Sequence, residues 1–174
     1  MDRQKLIEEK IRAEEERHRQ GNDLVRERVL DLLKNDLGYT DDEILIDKCF
    51  DIPTLEGSTP CSVDYIIRVD DKNIIAIKCS LSSIESRERN VIAFSRVVEE
   101  YQIPYSVVTD GIEARVIKTV TGKTLSEDIN DIPSKDKLDA EKIDFVAVPE
   151  ERKEKERRIL LAFETLNCSA LPQK

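Results

Sequence analysis

Helical spacing of apolar residues dominates the start of the chain. Residues 1–20 are nearly all helix formers, with Leu6, Ile7 and Ile11 as the only sizeable apolar side chains, and "QGN" at 20–22 predicts the end of this thinly anchored helix. "NDLVRERVLDLLKNDLGY" then offers Asn22 or Asp23 as an N-cap. Its stripe of Val25, Val29, Leu32 and Leu33, with Gly38 as the stop, predicts a core helix.

The period then shortens to that of strands. "EILIDKCFDI" at 43–52, "CSVDYIIRV" at 61–69 and "NIIAIKCS" at 73–80 follow one another, the last two joined by a tight turn at Asp70-Asp71, which predicts an antiparallel meander. From Ile84 to Tyr101 the spacing is again helical, with Ile84, Val91, Phe94, Val98 and Tyr101 on one face. On that helix Arg87 shares the inward face, whereas Arg89 and Arg96 fall on the opposite side and are expected in solvent. "PYSVVTDG" at 104–111 and "IEARVIKT" at 112–119 are two further strands around an Asp-Gly turn. A strand–helix–strand crossover places parallel neighbours, so the order implies a mixed sheet covered by helices, an α/β fold.

After "TGK" at 121–123 the period fades, and residues 124–148 read as loop with a short helix. "PEERKEKERRILLAFETL" at 149–166 reads as a C-terminal helix docked by Ile159, Leu160, Ala162, Phe163 and Leu166, its charged first half a solvated face. The organisation is thus a charged N-terminal helix (1–21), a core (22–123), and a loop with a C-terminal helix packing on the core (124–174).

Composition narrows the function. The formal net charge is −9, which opposes indiscriminate binding to phosphate backbones, so any contact with nucleic acid needs a local basic patch. Four cysteines, Cys49, Cys61, Cys79 and Cys168, occur singly without the paired spacing of a zinc or redox motif and are expected to be buried free thiols. His18 is the only histidine and lies in a charged helical stretch, which sets Ser-His-Asp and Cys-His chemistry aside. No apolar run approaches the roughly 20 residues that cross a bilayer, and the N-terminal residues lack a secretory signal. A cytoplasmic protein with no membrane partner is the expectation.

The candidate chemistry lies on the second and third strands. Alternation puts Val63, Tyr65, Ile67 and Val69 on one face and Asp64, Ile66 and Arg68 on the other, so Asp64 is an acid among apolar neighbours. On the next strand Ala76 and Lys78 share a face, and a simple hairpin register sets them beside Asp64. Carboxylates supply hard oxygen ligands to Mg2+, and a nearby lysine orients water and offsets phosphate charge, the needs of metal-dependent phosphodiester cleavage. Asp64 (metal) and Lys78 fit those catalytic roles; the alternative is an ion pair that fixes strand register.

"VDYIIRV…NIIAIKC" resembles the Asp…(Asp/Glu)-x-Lys core of the restriction endonuclease-like fold, the PD-(D/E)XK superfamily. The longer pattern "GYTDDEILID…SVDYIIRV…IIAIKCS…SRERNVIAFSRVVEEYQIPYSVVTDG" is similar to the N-terminal nuclease domain of type I restriction enzyme R subunits and its stand-alone relatives, over residues 24–123. The resemblance implies a layered α/β/α core, a Mg2+-dependent nuclease ancestry, DNA as partner, and Arg87 as a phosphate-binding residue of the same site. One departure matters: the family pattern places Glu or Asp where this chain has Ala76, and alanine has no ligand atom. Asp47, Glu27 and Glu85 are candidate substitute acids. Two forms stay open, a Mg2+ enzyme with a relocated acid or an inactive homologue kept for DNA binding. The rival from another class is a protein-interaction or regulatory module, or a homodimer, on the same fold.

Overall fold

In the computed structural model, residues 3–168 are described, with the side chains of all but residues 140 and 165–168. Its centre is a six-stranded mixed sheet whose spatial order is the order of the chain: β1 (Ile44–Thr54), β2 (Gly57–Val69), β3 (Lys72–Cys79), β4 (Tyr105–Thr109), β5 (Glu113–Lys118) and β6 (Lys123–Asp128). Only β3 and β4 run parallel; every other neighbouring pair is antiparallel. The crossover between them is α2 (Glu85–Val97), and α1 (Arg3–Asp31) and α3 (Glu150–Cys168) flank the sheet. Asp70 and Asp71 both take positive φ in the β2–β3 turn, the conformation a two-residue hairpin demands.

Two apolar layers hold the helices on. Val25, Val29 and Leu33 of the α1 region pack with Tyr65, Ile67, Ile75, Ile77 and Val107 on one face, where Ile132 and Leu138 of the segment after β6 join them. On the other face Val91, Ala93 and Phe94 of α2 and Leu160 of α3 meet Cys61, Val63, Ile66, Ala76 and Val108. The mixed sheet with helices at both ends of the chain is the α/β architecture that the strand and helix periods predict.

Five local expectations change. α1 does not stop at "QGN" but runs unbroken from Arg3 to Asp31 and continues into a π-turn at Leu32–Asp36. At Gly21 the helix passes close to the β3–α2 loop, where a Cβ would lie 2.5 Å from Leu81 Cδ1, the far end of a flexible side chain. Because Leu81 is 44% exposed and only its flexible tip obstructs, Gly21→Ala is expected to raise stability by less than about 1 kcal/mol through helix propensity, read from a urea unfolding midpoint.

Second, residues 123–128 form β6 rather than loop. A turn with Gly122 at φ +70° folds them back on β5 as an edge strand, too exposed to show a clear apolar period. Third, β2 does not keep one inward face: Cys61 and Val63 pack with α2, but Tyr65 and Ile67 pack with α1. The switch coincides with Asp47 on β1 at φ +50°, between the pairs Ile46–Tyr65 and Lys48–Val63, where a left-handed residue turns both strands over.

Fourth, Arg96 is not on a solvated side and Arg89 only partly so, and the charged first half of α3, otherwise solvated as expected, buries Glu156. Glu156 of α3 is 1% exposed and accepts hydrogen bonds from Arg96 Nη1 at 2.7 Å and Arg89 Nη2 at 2.8 Å. Arg96, 3% exposed, also donates Nε and Nη2 to the Thr119 carbonyl. A carboxylate and a guanidinium can be buried together only when paired and hydrogen-bonded, which is what α2 and α3 provide for each other. Fifth, Cys61 and Cys79 are buried free thiols as expected, but Cys49 is exposed because it lies on the outer part of edge strand β1. The side chains of Leu166 and Cys168 lie outside the described residues.

Candidate functional site

The β2–β3 register pairs Ile66 with Ala76 and Tyr65 with Ile77; continued by one residue it sets Asp64 across from Lys78. Their charged ends lie 3.9 Å apart, Lys78 Nζ to Asp64 Oδ2, at the C-terminal end of β3. Asp64 is 9% exposed, and its Oδ2 also accepts a 2.7 Å hydrogen bond from the Cys79 backbone N–H. Lys78, half-buried, donates a long 3.5 Å bond to the Ser62 carbonyl.

The strand reversal at Asp47 brings this pair to α1. Arg26 Nη1 lies 3.4 Å from Asp64 Oδ1, and Arg26 Nη2 lies 2.7 Å from Asp47 Oδ1, so one guanidinium bridges the two carboxylates. The Tyr65 hydroxyl donates to the Arg26 carbonyl at 2.8 Å and its ring lies under the guanidinium, which fixes α1 at this point. Burial opposes the charge on Arg26, but the bond to Asp47 and the nearby charge of Asp64 outweigh it and raise the guanidinium above its ordinary value. Burial, reinforced by the Asp64 charge, pushes the Cys79 thiol well up, so Cys79 is a packed core thiol rather than an activated one.

These groups open on a cleft of about 770 Å3 between α1 and the β3–α2 loop. Asp64, Lys78 and Arg87 lie along one wall and Arg26 on the other; Arg87, at the start of α2, is half-buried. His18 also stands on the α1 wall, since the unbroken helix carries it to the cleft. Of the three candidate substitute acids, only Asp47 joins the group, through Arg26. Glu27 is exposed on α1, and Glu85 accepts from Ser83 Oγ and pairs with Arg115, away from Asp64.

The donor set does not fit a magnesium ion. Mg2+ needs near-octahedral oxygen ligands, normally one or two carboxylates with open lone pairs. Here Asp64 faces Arg26 on one oxygen and the Cys79 N–H on the other, Asp47 is turned to the same arginine, and Ala76 is fully buried opposite Ile66. Among the described residues no three His, Cys, Asp or Glu side chains gather as a metal-ligand group. The negative charge that a metal would neutralise is already met by Arg26 and Lys78.

Arg26 was absent from the residues that the sequence pointed to. It follows Val25 directly, so it borders the buried stripe of α1; a cation at that edge was the available signal, visible only once the helix is known to cross the end of β3. A family model described as type I restriction enzyme R protein N terminus (HSDR_N) matches residues 21–133. No curated protein and no solved structure matches the chain.

Proposed function

The chain belongs to the type I restriction enzyme R protein N-terminal family, and from that premise we propose that it is a nuclease-derived, DNA-associated domain that grips phosphate without a metal ion. The observation that carries this reading is the Arg26 bridge between Asp47 and Asp64, a protein cation set against the acid that faces Lys78. With Asp64 balanced by Arg26 and by the Cys79 N–H, Lys78 and Arg87 are left to meet a phosphate entering the cleft. The PD-(D/E)XK ancestry belongs to the same proposal: Asp64 and Lys78 keep the acid and lysine of that pattern, and Ala76 replaces its second acid.

Duplex DNA is expected to bind at low salt, measured by fluorescence anisotropy, with an affinity that falls as salt rises. Arg87→Ala is expected to weaken binding and to reduce the slope of log affinity against log salt by about one. Replacing Mg2+ by EDTA at constant ionic strength should leave the affinity unchanged, and plasmid DNA should stay intact in Mg2+ or Mn2+. Metal-dependent nicking that Asp64→Ala or Lys78→Ala abolishes would instead establish an enzyme with a relocated acid. Absence of any DNA binding at low salt would favour the protein-interaction module, which the net charge of −9 suits.

A further inference from the structure

Arg87 and Arg89 lie about 200° apart around α2, so the helix presents them to different sides. Arg87 lines the cleft at Lys78, whereas Arg89 lines a second crevice of about 840 Å3 between α2 and α3. At its base is the buried pair Arg96 and Glu156. Docking α3 on α2 requires no more than that pair, since one guanidinium neutralises one carboxylate. Yet Arg89 binds the second oxygen of Glu156, and Arg152 Nε stands 3.9 Å from the first.

Three guanidiniums therefore converge on a single acid. Arg96 uses its donors on Glu156 and Thr119, but Arg89 and Arg152 are each nearly half exposed. Their forks have donors left over that open into the crevice. Lys155 and Arg158 stand at the rim with Glu151 and Glu154, the latter within ion-pair distance of Arg157 and Arg158, so five cations line the crevice against three acids. Such an excess of positive charge repels itself unless an anion shares it, and planar forks match phosphate geometry in two-pronged fashion. Burial pulls the Arg96 guanidinium below its ordinary value, and the charges of Arg152 and Arg89 add to that pull.

We infer that the crevice between α2 and α3 is a second binding site, for a phosphoryl oxyanion held between Arg89 and Arg152. Free phosphate compounds and a nucleic-acid backbone carry the same chemistry. The test uses the full chain, melted with sodium phosphate or pyrophosphate against sodium chloride at equal ionic strength, with calorimetric titration of pyrophosphate. Phosphate several-fold above its Kd is expected to raise Tm by about 2–4 °C beyond chloride. Arg89→Gln with Arg152→Gln should abolish the gain, while Lys78→Ala with Arg87→Ala should keep it. Arg152→Gln alone, which touches Glu156 only at 3.9 Å, supplies a variant whose folding is little affected and should weaken pyrophosphate binding several-fold. A short duplex that protects in the same Arg89- and Arg152-dependent way would identify the nucleic-acid backbone as the source; protection by the small anions alone would identify a free phosphate compound. No gain over chloride, a gain that survives the Arg89→Gln/Arg152→Gln double variant, or one that follows Lys78 and Arg87 instead would overturn the site.

Discussion

Glu156→Ala is expected to destabilise the protein by about 3–5 kcal/mol, the range for removing one partner of a buried ion pair. The loss is large because Arg96 is 3% exposed and cannot turn to water when its carboxylate is gone. It would keep only the Thr119 carbonyl, which carries a partial charge and not a full one. Typical domains have only about 5–15 kcal/mol in total, so the variant would stand near the edge of folding. Glu156→Gln preserves shape and an acceptor oxygen and should be destabilised less. Urea unfolding with an unchanged slope would read both losses as stability differences. A Glu156→Ala protein as stable as the parent would mean that α3 is held by its apolar contacts alone.

Phe94→Ala is expected to lower stability by a comparable amount, about 3–5 kcal/mol. Phe94 is fully buried between α2 and the sheet and meets Phe50 of β1 edge to face, with ring centroids 5.6 Å apart and planes at 74°. Truncation removes both the transferred surface and this contact, and the layer around Ile66 and Ala76 is too closely packed to refill the space. A loss below about 1 kcal/mol, again from the urea midpoint, would show that the α2 face collapses to fill the cavity.

The elements that were legible in the sequence are those whose apolar period is decided within one segment. Val25, Val29 and Leu33 mark a helix, and "NIIAIKC" marks a strand, because burial of one stripe or both faces is written locally. The Asp64–Lys78 proximity was expected from a simple hairpin register, but it depends on a shift of register between Ile67 and Arg68, because the two-residue turn continued unbroken would set Asp64 across from Ile77. What escaped depends on partners distant in the chain. Gly21 looks like a helix stop until Leu81 is beside it, and Arg96 looks solvated until Glu156 arrives from sixty residues onward. The face switch at Asp47 escaped because a single left-handed residue reverses a pattern without altering composition. Arg26 escaped with it, since only that reversal turns Asp64 toward α1.

The succession of strands has a kinetic corollary. The connections at residues 55–56, 70–71, 110–112 and 119–122 are short, so each antiparallel pair closes with little chain entropy to overcome. Joining β3 to β4 is different, because residues 80–104 must first be gathered, with α2 laid against the sheet. Two hairpin assemblies are thus expected to form early and independently, and their merger across that single parallel seam is expected to set the pace at which the molecule reaches its native state.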